Sequence, residues 1–399
     1  MSCRILVTGV GAVSAAGMSV QENIRTLDSG KRALSPFPSF VRTSLELPVG
    51  EVKADNASLE GMLGLSRKNP VTRTALLAAV AASEAVMDAG LEPGVLSGGR
   101  TGLVIGTSVG GMDISEVFYE EYRKDSNGCN PGTVRMHDCG ATVSFVSSCL
   151  GIRGFSTAVS TACSSAGNAI MLAARMIRAG LLDAAIAGGA DSLSRFTLNG
   201  FNSMRILSSS PCLPFDAARD GLNLGEGAGF VVLQRETDVT EKAYCCLGGW
   251  ANADEAFHQT GSSSDGRGAF EAMSGALESA SLNPEDIDYV NTHGTATPGN
   301  DLAEGTALKR LFGGSVPFGS FKGYIGHTLA ASEGIEAVLC AVSVKEGKVW
   351  PSAGFSVEDP SIGISPFCPP FPEYRKIRHL LSNSFGFGGN NTSLVFSAV

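Results

Sequence analysis

Val159-Ser-Thr-Ala-Cys-Ser-Ser165 leaves a β-rich run, makes a polar turn and opens a helix that extends to Gly180. Adding 167 to Ser165, Gly167, Arg178 and Gly180 gives Ser332, Gly334, Lys345 and Gly347. The second segment is again strand, polar turn and a helix ending at Gly. A weaker echo in the same order pairs Ala89-Gly-Leu-Glu-Pro93 with Ala280-Ser-Leu-Asn-Pro284. Two echoes in one order argue for an ancient duplication. The halves would meet near residue 240, after the strand Gly229-Phe-Val-Val-Leu-Gln234, giving units 1–240 and 241–399. The turns before the two equivalent helices then lie side by side across a pseudo-twofold axis. One turn carries Cys163 and the other carries His327.

Strand and helix patterns alternate through the rest of the chain, which predicts α/β layers. Thr74 to Ala89 reads as a helix closed by Gly90, Thr101 to Gly106 as a strand, and Ala184 to Gly188 as another, ending at Asp191. Gly261 to Gly268 reads as a loop before a helix over Ala269 to Ala280. Gly9-x-Gly11-x-x-Ser14 mimics a dinucleotide fingerprint, but the third glycine is missing and no strand-end acid follows at the right distance. It reads as a tight strand-to-helix turn.

Composition removes several classes. The 399 residues are 43% hydrophobic and 17% charged, enough for a large core, and the net charge is −9. No basic face suggests nucleic acid. No apolar run is long enough to span a bilayer. The opening Arg4 to Gly9 reads as a strand and turn, not a secretory signal. The ten cysteines show no Cys-x-x-Cys spacing, so a reducing, cytoplasmic setting with mostly inert thiols is expected.

Cys163 at a helix start should have a lowered thiol pKa and be nucleophilic. His293 lies in Tyr289-Val-Asn-Thr-His-Gly-Thr-Ala-Thr-Pro298 and His327 in Phe321-Lys-Gly-Tyr-Ile-Gly-His-Thr328, both where a strand gives way to a Gly-flanked loop. His137, His258 and His379 lack that setting, and the spacing of His137, Asp138 and Cys139 matches no strong metal motif. Gly106-Thr-Ser-Val-Gly110 matches the nucleophile elbow of α/β-hydrolases, so a serine hydrolase using Ser108 is the rival enzyme. A scaffold without catalysis is the third alternative. Asp301, Glu304 and Lys322 lie close in sequence to the two histidines; each alone reads as a solvated charge.

Four motifs in order, Thr161-Ala-Cys-Ser-Ser165, Asn291-Thr-His-Gly-Thr-Ala-Thr-Pro298, Lys322-Gly-Tyr-Ile-Gly-His327 and Asn383-Ser-Phe-Gly-Phe-Gly-Gly389, make the chain resemble the β-ketoacyl synthases that extend acyl chains on acyl carrier protein. The resemblance covers essentially the whole chain. It implies a duplicated thiolase-like α-β-α-β-α sandwich, usually a homodimer, with a heterodimer beside a chain-length partner as the variant. It implies Cys163 as the acylated nucleophile and His293 and His327 as donors to the malonyl thioester carbonyl. Lys322, Glu304 and Asp301 would support the histidine loops. The N–H groups of Cys163 and Phe387 would form an oxyanion hole. Phe387 would gate the acyl pocket, with Phe201 and Ser108 at its wall, and Arg67, Lys68 and Arg205 would dock the carrier protein. The resemblance implies no cofactor and no metal. Gly323-Tyr324, Glu333 and Asn390 depart from the commoner pattern, which leaves open ordinary fatty-acid elongation or a specialised polyketide or aryl-polyene pathway.

Overall fold

The computed structural model describes residues 4–65, 71–236, 243–370 and 372–399. The first half contributes strands β1 (Ile5–Ser14), β2 (Thr101–Gly106), β3 (Ser156–Val159), β4 (Ala184–Asp191) and β5 (Gly227–Arg235). The second contributes β6 (Cys245–Asp254), β7 (Tyr289–Asn291) and β8 (Phe318–Gly319), then a two-stranded ribbon of β9 (Lys348–Val349) and β10 (Glu373–Tyr374), then β11 (His379–Phe385) and β12 (Asn390–Ser397). Ten strands form one sheet in the order β3-β2-β4-β5-β1-β6-β12-β11-β7-β8.

That order is the same list read outward in both directions from the β1–β6 junction. With the β9–β10 ribbon left aside, each half runs first, fifth, fourth, second, third strand of its own five. The pairing directions repeat as well: two antiparallel steps, then two parallel ones. Among the described residues, the β1–β6 register pairs Leu6 with Cys246 and Val7 with Cys245 across the junction. The fold is thus the duplicated, layered α/β sandwich.

The helices Ser165–Arg178 and Ser332–Glu346 form the central layer, each touching strands of both halves. Ser332–Glu346 is buried without interruption from Ser332 to Val344. A helix enclosed on all sides belongs to the middle of a large core. Arg73–Ala89 covers the outer face of β1, β4 and β5, and Arg267–Ala280 covers β6, β11 and β12. Thr72 caps the first of these by accepting from the Ala75 N–H, and Gly90 at φ 65° ends it in the left-handed conformation, as its sequence predicts.

The fingerprint-like Gly9-x-Gly11-x-x-Ser14 is not a turn. β1 continues through it to Ser14. A Cβ on Gly9 would stand 2.3 Å from the Ala85 carbonyl oxygen, and one on Gly11 2.0 Å from that of Ala81. These glycines let an alanine-rich helix lie directly on the strand. The sequence expectation failed because a glycine needed for close packing looks the same as one needed for a turn. Among the described residues, no helix is long and apolar enough to cross a membrane.

Candidate active site

Cys163 sits two residues before the central helix Ser165–Arg178 and is 4% exposed. The turn is held by its own serines. The Ser165 hydroxyl accepts from the Thr161 N–H at 2.9 Å and donates to the Ala162 carbonyl at 2.6 Å. Ser384 of β11 donates to the Cys163 carbonyl at 2.9 Å, so the second half clamps the nucleophile turn of the first. Ala162 is left-handed at φ 54°, and so is Leu329 at φ 55°, which stands 167 positions later in the echo. Ala296, beyond His293, is left-handed too, at φ 67°. A non-glycine residue there costs free energy, and such strain gathers where side chains must be aimed.

The helix start does not leave Cys163 with a lowered thiol pKa. Burial pushes Cys163 up to about 11, against the opposing pull of the Lys322 charge and of the backbone N–H groups of Phe387 and of Cys163 itself. Enclosure outweighs these because a buried thiolate loses its hydration. The resting group is a thiol. The backbone N–H groups of Phe387 and of Cys163 itself face its sulfur.

His327 Nε2 lies 3.0 Å from Cys163 Sγ. Its Nδ1 accepts from the Leu329 N–H at 3.2 Å and meets the Ser332 hydroxyl at 2.9 Å. An Nδ1 that accepts from an amide carries no proton, so the neutral ring holds its proton on Nε2, facing the sulfur. The His293 ring stands edge-on to His327 at 5.2 Å between centroids and 87° between planes. Burial, then the Lys322 charge, holds both imidazoles well below the usual histidine range, so both are neutral donors. Donor atoms of Cys163, His293 and His327 all lie within 4.8 Å of one another. Among the described residues this is the one group of three or more His, Cys, Asp or Glu side chains that lie close enough to share an ion.

The neighbouring charges are not solvated. Asp301, Glu304, Lys322 and Glu336 are all buried. Glu304 accepts from the N–H of His293 at 2.9 Å and of Gly294 at 2.8 Å, and from Asn383 at 3.2 Å. Burial raises its carboxyl to about 7 against these bonds. Asp301 accepts from the N–H groups of Ala296 at 3.1 Å and Phe215 at 2.7 Å, fixing the far end of the His293 loop. Lys322 Nζ pairs with Glu336 Oε1 at 2.7 Å, both side chains 1% exposed. Removing one partner of such a pair strands the other, a cost of about 3–5 kcal/mol.

Ser108 is neither a nucleophile nor a wall of the cavity at Cys163. Its hydroxyl donates to Asp191 Oδ2 at 2.5 Å, and no histidine stands between them to act as base. Asp191 is fully buried and also accepts from Thr107, from the Val109 N–H and, across the halves, from the Ala330 N–H at 2.9 Å. It anchors the segment carrying His327 to the ends of β2 and β4. The sequence marked Asp191 only as the end of a strand. Its partners are remote in sequence, so no local pattern could reveal its role.

Cys163, His293, His327 and Phe387 line one cavity of about 240 Å³, with Thr295 and Thr260 among the other walls. Phe387 lies in the turn between β11 and β12, half-buried and stacked on Phe201 at 5.7 Å and 18°. It is not a core phenylalanine. Gly388 and Gly389 after it are left-handed at φ 90° and 91°, torsions that only glycine takes readily. Asn390 closes the turn and ties it to the nucleophile, accepting from Ser164 Oγ at 2.7 Å and Asn168 Nδ2 at 2.7 Å. Phe201 packs against an apolar cluster of Val49, Leu193, Leu198, Leu222, Leu224 and Leu329, and Leu222 of that cluster also lines the cavity. Arg205 is exposed, next to the cavity residue Ile206. Arg67 and Lys68 lie outside the described residues.

Comparison with known proteins gives a consistent result. The family model described as Beta-ketoacyl synthase, N-terminal domain, matches residues 2–239, and that described as Beta-ketoacyl synthase, C-terminal domain, matches residues 244–356. The chain is 34% identical to Nodulation protein E of Rhizobium meliloti (strain 1021), with 100% of each chain covered. It is 32% identical to 3-oxoacyl-[acyl-carrier-protein] synthase 2 of Staphylococcus aureus (strain COL), with 98% of each covered. Its fold superposes with a TM-score of 0.94 on a chain of the ishigamide ketosynthase/chain length factor structure, at 25% identity and 100% coverage of both. A buried Cys–His–His cluster at the meeting of two duplicated halves, and these matches along both halves, have one reading: the chain belongs to the β-ketoacyl synthase family of condensing acyltransferases.

Proposed function

We propose that the chain condenses an acyl group held on Cys163 with malonyl-acyl carrier protein, giving carbon dioxide and 3-oxoacyl-acyl carrier protein. The observation that carries this reading is the approach of His327 Nε2 to Cys163 Sγ at 3.0 Å, with His293 beside it. In the first step the Cys163 sulfur bonds the acyl carbon of a carrier-bound thioester. The carrier thioester C–S bond breaks, and the thiol proton goes to the departing carrier thiolate. In the second, the malonyl carboxylate leaves as carbon dioxide and its electron pair passes into the thioester carbonyl, forming an enolate. Two neutral imidazole N–H groups stabilise that oxygen. The enolate carbon attacks the acyl-Cys163 carbonyl, whose oxyanion accepts from the N–H groups of Cys163 and Phe387. Collapse breaks the C–S bond, and Cys163 leaves as a thiolate that takes a proton from solvent.

Lys322, Glu304 and Asp301 are positioning residues in this reading, acting through the two histidine loops. Residues 1–240 are the half that supplies the nucleophile, and 241–399 the half that supplies the donors. The protein works in the cytoplasm as a homodimer or beside a chain-length partner. A panel of acyl- and malonyl-loaded carrier proteins tests the reaction: 3-oxoacyl product is expected, and hydrolysis without carbon–carbon bond formation contradicts it.

Phe387 acts as a gate between cavity and apolar cluster. Its place on the cavity wall, its stack on Phe201, which packs on that cluster, and its glycine-flanked turn support this. Phe387→Ala should slow condensation and blur the order of substrate binding while Cys163 still acylates. Its melting temperature should fall modestly, since a half-buried ring contributes less than the roughly 3–5 kcal/mol of a core phenylalanine. A large stability loss with normal condensation by the folded fraction would contradict the gate.

Carrier protein docks on Arg67, Lys68 and Arg205. Arg205 lies next to the cavity lining, in a chain of net charge −9. Charge reversal at all three should raise KM for carrier-protein substrates and flatten its dependence on salt. An unchanged KM refutes the patch.

A further inference from the structure

Glu333 is a buried acid without a role in the steps above. It is the second residue of the central helix Ser332–Glu346 and is fully enclosed. By the offset that relates the two halves it corresponds to Ala166, so a methyl group in one half is matched by a carboxyl in the other. Neither of its oxygens has a well-aligned hydrogen-bond partner, the Ser382 hydroxyl giving only a weak pull, and the nearby cluster member Asn291 Oδ1 has none either. The Asn291 amide N–H₂ is used, reaching Ser382 Oγ at 3.0 Å and Glu336 Oε2 at 3.3 Å. The surroundings of Glu333 are Glu336 and Cys340 on its own helix, Lys322 before the His327 turn, Glu304 on the helix Pro298–Phe312, and the Ser382 hydroxyl on β11. On its other side it meets the nucleophile helix, where a Cβ on Gly167 would stand 3.2 Å from Glu333 Cγ. One cation, Lys322, therefore faces three buried carboxyl groups, and it is already paired with Glu336.

Three orphaned acceptor oxygens in one enclosed cluster need a donor, and ionised acids cannot provide one. We propose that Glu333 is a positioning residue that holds a proton at neutral pH, adding an O–H donor to the Asn291–Ser382–Glu336 network and leaving Lys322 to balance Glu336 alone. Burial first, then the neighbouring Glu336 charge, pushes its carboxyl well above the usual range, in the same direction. The consequence is electrostatic. The ground beneath His293 and His327 stays near neutral, and Lys322 stays fixed on Glu336. Ionisation of Glu333 would divide Lys322 between two carboxylates and disturb both histidine turns.

The inference deepens the reading of the condensing site, but its main test needs no turnover. Glu333→Gln keeps the shape and the donor and cannot ionise. A carboxyl whose folded pKa is raised costs stability increasingly from its unfolded pKa upward, until the folded pKa is reached. The folding equilibrium constant of Glu333→Gln relative to wild type should therefore grow about tenfold per pH unit across that window. Denaturant unfolding between pH 5 and about 8 reads this ratio. A flat ratio, or one that falls with pH, overturns the proposal, because Glu333 would then be ionised in the fold. A stabilisation of wild type by sodium, potassium or magnesium chloride that Glu333→Gln lacks also overturns it, since the oxygens would then hold a cation. Carbon dioxide release separates positioning from mere burial. The wild-type rate should fall at alkaline pH as Glu333 ionises, and Glu333→Gln should lack that fall; identical profiles exclude the positioning role. Failure of the condensation reading would leave the stability result standing.

Discussion

His327→Ala is expected to release carbon dioxide from malonyl-carrier protein about 10²–10³-fold more slowly than wild type, the usual cost of removing one oxyanion-type donor. The reason lies in its tautomer. The Leu329 N–H occupies Nδ1, so the ring must present Nε2–H to the reacting centre. A water in the vacated space would have to be oriented anew at each turnover. His293→Ala should show a loss of the same order, with acylation of Cys163 better spared in both variants. The wild-type rate should show no loss from imidazole protonation between pH 6.5 and 8, because both histidines are held well below 6.5. Stability should have the matching sign: present above the unfolded histidine pKa and declining as pH drops below it, since the unfolded chain binds protons that the fold refuses. Wild-type carbon dioxide release by either variant would be incompatible with the donor role.

Cys163→Ala is expected to abolish acyl transfer and condensation while leaving the two imidazole donors in place. The loss is of the nucleophile itself, so it should exceed that of either histidine variant. Malonyl-carrier protein should still lose carbon dioxide on Cys163→Ala, because the enolate oxygen needs the histidines and not the sulfur. The thiol is buried and pushed up to about 11, so bulk alkylating agents should attack it slowly at neutral pH for a catalytic cysteine. Electrophiles that reach the cavity should modify it ahead of the other cysteines. Retained condensation by Cys163→Ala would remove the covalent intermediate from the account.

Much of this was legible in the chain. The 167-residue offset anticipated the repeated strand order and the meeting of the Cys163 and His327 turns, because repeated local sequence builds repeated local structure. The offset extends to the backbone, with Ala162 and Leu329 both left-handed. What stayed hidden depends on burial and on contacts remote in sequence. Glu304, Asp301 and Lys322, to which only the family resemblance gave roles, each read alone as a surface charge and are fully enclosed. Asp191 holds Ser108, 83 positions away, and Ala330, 139 positions away in the other half. The expected low thiol pKa was wrong because a helix start is visible in sequence, whereas the enclosure that outweighs it is not. Gly9 and Gly11 misled for a similar reason: their partner is a helix some seventy residues away.

Peptide mapping by mass spectrometry, after incubation with acyl-loaded carrier protein and before malonyl-carrier protein is added, tests the central claim most directly. The account predicts one acyl adduct, on Cys163, discharged as 3-oxoacyl-carrier protein when malonyl-carrier protein follows. An adduct on Ser108, or 3-oxoacyl product formed with no adduct on Cys163, would contradict it.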